Sequence, residues 1–223
     1  MVKRIPGQGW LALIGGGEFS FGETVEIDQV WLEKTGDGPI GFLPTASGSA
    51  DYFRHFAEYL DERFGRQAEL IPVYRGRDAR RQKNVDRIAE CSAIYIGGGV
   101  PDELLSTVSD TPVQEALGRK LGSGGVVVAI AAAAQALGTM ARSLFGGSSL
   151  AGLGWLPGGV IEPNFDPGHD RRLRRMMVEP GVSWGVGLPA SSAILLGPES
   201  QTDLIGTSFL LDEPEGDFRI LGG

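Results

Sequence analysis

Val126-Val127-Val128-Ala129-Ile130-Ala131-Ala132-Ala133-Ala134-Gln135 passes without a loop from a β-branched run into four consecutive alanines. The first half reads as a buried strand and the alanines as the first turn of a helix. A strand that turns directly into a helix makes a sharp corner. Many α/β hydrolytic enzymes expose their nucleophile above the sheet at such a corner. Here the corner carries only methyl groups, so the backbone pattern is one of a nucleophile site and the side chains are not.

The chain on either side repeats the same alternation. Trp10-Leu11-Ala12-Leu13-Ile14 reads as a first strand and ends in Gly15-Gly16-Gly17. Ile40-Gly41-Phe42-Leu43-Pro44 and Leu70-Ile71-Pro72-Val73 read as further strands, the latter near an edge because proline cannot donate to a ladder. Ala93-Ile94-Tyr95-Ile96 runs into a second glycine triplet, Gly97-Gly98-Gly99. Between the strands, helices are expected over 21–33, 50–64, 84–91 and 112–121. The second places Phe53, Phe56, Ala57, Leu60 and Phe64 on one stripe. The last has Asp110 or Thr111 as its cap and a proline in its first turn.

This βαβα order predicts a three-layer, doubly wound α/β fold, with a mostly parallel sheet and helices on both faces. Beyond Gly152, short strands over 158–161, 184–188, 192–196 and 204–211 and a helix over 170–177 read as the far edge of the same sheet, partly antiparallel. No composition shift marks a linker, so residues 1–223 are read as one domain.

The bulk properties narrow the function classes. A chain of 223 residues can bury roughly 70% of its unfolded surface, enough for a core without staples. Its hydrophobic fraction is 42% and its formal charge is -8. That charge argues against nucleic acid, whose phosphates need clustered cations. Two basic clusters, Arg75 to Lys83 and Arg171 to Arg175, read first as solvated faces. The single cysteine, Cys91, excludes an intrachain disulfide and agrees with a reducing compartment. The apolar run at Trp10–Ile14 is too short for a membrane span or signal core, and a cytoplasmic protein is expected.

Conventional sites are poorly supported. Gly15-Gly16-Gly17 lacks the later glycine and acidic residue of a dinucleotide fingerprint. His55 sits within an amphipathic helix. Asp166, His169 and Asp170 are close in sequence, but a metal needs more ligands than this cluster shows. No metal and no cofactor are expected. Serines are plentiful, yet none stands at a strand-to-helix corner and no Gly-x-Ser-x-Gly stretch occurs.

The order of several stretches nevertheless resembles one family. They are Leu11 to Glu18, Phe42 to Gly48, Ile94 to Gly99, Gly152 to Pro157, and Glu162-Pro163-Asn164-Phe165-Asp166 leading into the arginine-rich segment. Together they resemble the cyanophycinase and dipeptidase E family of serine exopeptidases over nearly the whole chain. The resemblance implies a sheet like that of class I glutamine amidotransferases, with a flavodoxin-like core. It also implies that Ala131 stands at the nucleophile position and Asn164 at that of the base. The acid position falls on Pro189 or Ala190. Where the family carries Asp-Gln after the second glycine strand, this chain has Val100-Pro101.

An alanine has no lone pair to attack a carbonyl, and an asparagine amide takes up no proton near neutral pH. What survives is binding, through backbone donors at Gly98, Gly99 and Ala132. The leading reading is a catalytically degenerate homologue that binds a small peptide or carboxylate. A second is a working hydrolase with a relocated site drawing on His169, Ser191 or Ser192. A third is a structural or regulatory subunit, with a homodimer among the expected assemblies. Neither nucleic acid nor membrane is an expected partner.

Overall fold

A computed structural model describes residues 2–223. In chain order the elements are β1 (Trp10–Ile14), α1 (Val25–Leu32), β2 (Ile40–Leu43), α2 (Asp51–Phe64), β3 (Ala68–Leu70), α3 (Gln82–Glu90) and β4 (Ala93–Ile96). They continue with α4 (Pro101–Val108), α5 (Pro112–Gly122), β5 (Val126–Ile130), α6 (Ala132–Ala136), β6 (Met140–Arg142) and β7 (Ser149–Ala151). The last are β8 (Gly159–Pro163), α7 (Arg171–Met177), β9 (Trp184–Leu188), β10 (Ala193–Leu196), β11 (Thr202–Ile205), β12 (Ser208–Leu211) and β13 (Arg219–Leu221).

The central sheet has seven strands in the order β11-β10-β1-β5-β4-β2-β3. Its five early strands run parallel, with β5 paired in register to β1 and β4. β10 and β11 extend it antiparallel. Every residue of β5 is buried, and their side chains alternate between two cores. Val127 and Ala129 join one with residues from α3 to α6, and Val126, Val128 and Ile130 join the other with residues from α1 and α2. Period-two alternation thus feeds both faces, and helices must cover both. Each buried valine or isoleucine contributes about 1.5–3 kcal/mol. This is the doubly wound α/β architecture expected from the sequence.

The C-terminal third departs from its expected place. Only β10 and β11 join the central sheet. β8, β9, β12 and β13 form a separate four-stranded sheet, β13-β12-β9-β8, packed with α7 around Val160, Phe165, Leu173 and Met177. The expected strand over 204–211 is two strands in different sheets, because Gly206 turns the chain at φ +65. β6 and β7 make a small hairpin of their own.

Local differences have local causes. The helix expected over 21–33 is a single 3₁₀ turn at Phe19–Phe21, then a break at left-handed Gly22, then α1. β3 ends at Leu70, just before Pro72, and does lie at the sheet edge. α4 has no counterpart among the expected helices, although Pro101-Asp102-Glu103 supplies a helix-start signal of proline and acidic first turn. Thr111 caps α5, accepting from the Gln114 N–H at 3.4 Å.

Among the described residues no helix is long and apolar enough to cross a membrane.

Candidate functional site

The parallel strands bring their carboxyl ends, and the loops that follow, to one edge of the sheet, where ligand sites gather in open α/β folds. Ala131 forms the corner between β5 and α6. Its backbone lies at φ 52, ψ −116, a conformation that alanine resists. Two bonds hold it there: its N–H donates to the Ile14 carbonyl at 2.9 Å, and its carbonyl accepts from Gln135 N at 3.1 Å. α6 is only five residues long because the following segment caps it. The N–H groups of Leu153 and Trp155 donate to the carbonyls of Ala136 and Leu137.

The loop after β1 gathers the other positions. Asn164 donates its N–H to the Gly15 carbonyl at 2.9 Å, and Ser191 donates to the Gly16 carbonyl at 3.1 Å. The Asn164 side chain lies directly over Gly16, where an added Cβ would come within 2.0 Å of Oδ1. The backbone of Leu188 and Pro189 lies against Gly15, where an added Cβ would stand 2.1 Å from the Pro189 carbonyl. Asn164 (φ 48) and Ser191 (φ 57) both adopt left-handed backbone. Asparagine tolerates it well, through its short hydrogen-bonding side chain. Of the acid positions, Pro189 is half-buried and Ala190 exposed.

On the other side of the corner, Gly98 would bring a Cβ within 3.5 Å of the Ala131 methyl. Gly99, at φ +146, follows Gly98 and lies against the Ala46 carbonyl. No described acceptor takes the amide hydrogens of Gly98, Gly99 or Ala132. Ala131, Ala132, Asn164 and Gly99 all line one cleft of about 200 Å³.

The far wall of this cleft is charged. Glu162 is buried (5% exposed). It accepts from Gln135 Nε2 at 3.3 Å, with Arg142 at 3.6 Å and Arg172 at 3.9 Å. Burial raises its carboxyl above the ordinary value, and the two guanidiniums pull it back only in part. No sequence motif marks this wall. Its residues come from α6, β6, β8 and α7, and only the fold joins them. The reading of Arg171 to Arg175 as a solvated face is corrected at Arg174, while Arg172 is largely exposed at the rim of the cleft. Arg172 lines the cleft, and Arg174 ties α7 to Asp170 at 2.7 Å and to the Pro214 and Gly216 carbonyls.

A neighbouring, wider cleft of about 620 Å³ is lined by Asn164, Asp166, His169 and Arg172. There the exposed ring of His169 meets Asp166 at 2.7 Å, and this hydrogen bond holds the Asp166 carboxyl below its ordinary value. Ser192 is buried, and its hydroxyl donates to the Pro189 carbonyl at 2.7 Å. His55 is exposed beside Glu58. Cys91 is buried, which pushes its thiol up to about 11. Among the described residues, no three His, Cys, Asp or Glu side chains are grouped to hold a metal.

A parallel sheet, a strained strand-to-helix corner at its carboxyl edge and glycine loops on either side define a hydrolase-type α/β architecture. The sequence pattern of peptidase family S51 matches residues 11–197. The chain belongs to that family of serine-type peptidases. It is 25% identical over 184 residues to cyanophycinases of Synechococcus elongatus and Thermosynechococcus vestitus, covering 76% of this chain. The chain spans about half the length of these relatives, 56% in each case. A peptidase from an acI-B1 actinobacterium superposes with a TM-score of 0.75 at 21% identity, covering 97% of this chain and 96% of the other. A putative peptidase E protein from Listeria monocytogenes superposes at 0.61 and 16% identity, covering 89% and 99%. At these identities the two structures speak for the fold.

Proposed function

We propose that this family member is a non-hydrolytic binding protein whose cleft takes a small acidic peptide or carboxylate. One observation carries the reading: Ala131 keeps the strained backbone of a nucleophile corner while bearing a methyl group. A methyl group forms no covalent intermediate, and Asn164 beside it accepts no proton at neutral pH. A strained conformation costs about 1–3 kcal/mol and persists where its surroundings hold it. Such a corner still presents backbone donors, and the free amides of Gly98, Gly99 and Ala132 suit a carboxylate. The guanidiniums of Arg142 and Arg172 across the cleft favour the same charge.

A second reading draws on the Asp166–His169 pair, which has the form of an oriented base. No serine hydroxyl is hydrogen-bonded to this base: the His169 ring bonds only to Asp166, and the Ser192 hydroxyl is engaged with Pro189. A fluorophosphonate probe with peptide mass spectrometry separates the two. No serine should be labelled, and Asp-containing dipeptides should not be cleaved. Stoichiometric labelling of Ser191 or Ser192 would replace the binding reading with the relocated hydrolase.

A further inference from the structure

We propose a second site, for a phosphate-class oxyanion, between the β6–β7 hairpin and α7. It is a pocket of about 250 Å³ that adjoins the cleft at Ala131 and shares Arg142 and Arg172 with it, but is not lined by Gly99, Ala131, Ala132 or Asn164. Three arginines line it, Arg142 from β6 and Arg172 and Arg175 from α7. The hairpin supplies Ser148 and Ser149 opposite them.

The donors outnumber the acceptors present. Arg175 makes no ion pair with any described residue. The Nε of Arg142 is buried without a hydrogen-bond partner, a costly state for a cationic donor. The Ser148 hydroxyl makes no hydrogen bond within the described chain. Two carboxylates approach these groups. Glu162 sits 3.6 Å from Arg142 and 3.9 Å from Arg172. Glu179 accepts from the Ser149 hydroxyl at 2.5 Å. No carboxylate forms an ion pair with Arg175, whose guanidinium therefore stays uncompensated among the described residues.

Planar guanidinium forks and hydroxyls around one pocket suit a ligand with several acceptor oxygens on one centre. A monocarboxylate has two such oxygens and leaves donors unmet; a phosphate group has more. The loop of the hairpin is tied down by its own hydrogen bonds. The Ser143 hydroxyl donates to Asp102 at 2.5 Å and accepts from the Phe145 and Gly146 amides, which fixes the loop leading to Ser148.

The test uses the full chain and inorganic phosphate, titrated at constant ionic strength against chloride and acetate. Binding is followed by calorimetry and by backbone amide shifts. Saturable binding of one phosphate is expected, with the largest shifts at Gly147, Ser148 and Ser149. Arg175→Gln, at an exposed position, should weaken it by about tenfold or more while leaving the fold intact. No saturable binding would overturn the site. So would equal affinity for acetate, unchanged affinity in Arg175→Gln, or shifts centred on Gly99 and Ala132. The last outcome would place phosphate at the corner and leave the binding reading of that cleft standing.

Discussion

Along one side of the cleft, the loops at Gly15–Gly17 and Gly97–Gly99 and the corner at Ala131 present backbone and methyl groups. Along the other, Gln135, Arg142, Glu162 and Arg172 present charge and amide groups. On the binding reading proposed above, the first side keeps the geometry of a nucleophile corner and displays a methyl group there. The second has groups that recognise charge but none placed to attack a carbonyl. Geometry and reactivity are therefore separable here. A corner set by backbone hydrogen bonds to Ile14 and Gln135 does not depend on which side chain it displays. A charged wall depends on every side chain in it.

If the backbone side is fixed by close approach, filling that approach should have the largest effect. Gly15→Ala would drive a methyl to 2.1 Å from the Pro189 carbonyl and 2.4 Å from that of Leu188, both main-chain atoms. Chemical denaturation should show a loss of roughly 3 kcal/mol or more, the range of severe packing conflicts. Gly98→Ala is the control, since its Cβ meets the Ala131 methyl at an ordinary 3.5 Å. It should cost under about 1 kcal/mol. Similar losses for the two would mean that the loops are plastic and the comparison is wrong.

The charged side should show its character through pH. Burial raises the Glu162 carboxyl, so the folded chain holds this proton more tightly than the unfolded one. The resulting stability is full below the unfolded value near 4.5 and is lost as pH rises through the folded value. Glu162→Gln keeps the shape and removes the titration. Unfolding in urea at pH 4.5 and 7.5 should therefore show the wild type losing ground to the variant as pH rises. One proton limits the slope to about 1.4 kcal/mol per pH unit. A wild type that gains on the variant with rising pH would show that Arg142 and Arg172 outweigh burial.

The two sides were not equally legible in the sequence. Strand–helix alternation gave the parallel sheet, because Val126–Ile130 and Trp10–Ile14 are short apolar runs bounded by glycines or a sharp turn. The corner at Ala131 was visible because its elements are contiguous. Asn164 was reached through resemblance, not periodicity. The charged wall was invisible, since Gln135, Arg142, Glu162 and Arg172 lie on four elements with no shared spacing. The second sheet was misplaced for a related reason. β9 and β10 are similar apolar runs, and nothing in either says that β10 pairs with β1 while β9 pairs with β8 and β12. Pairing partners far apart in the chain are decided by packing, which a local pattern does not encode.

The smallest expected effect tests the strain at the corner directly, and its sign is unusual. Replacing alanine by glycine in ordinary structure costs roughly 0.5–1 kcal/mol, because glycine loses more freedom on folding. At Ala131 the backbone stands at φ 52, ψ −116, where glycine meets no Cβ conflict. Relief of about 1–3 kcal/mol of strain should outweigh the entropic cost. Ala131 lines the cleft and is only half-buried, so little packing is lost with its methyl. Ala131→Gly should therefore stabilise the chain by about 1 kcal/mol in urea unfolding, the difference of those two terms. A loss of that size instead would mean that the methyl contributes more through the Gly98 contact than it costs through strain. The corner would then be a packing feature like the rest of β5, and its likeness to a nucleophile corner would carry no energetic signature.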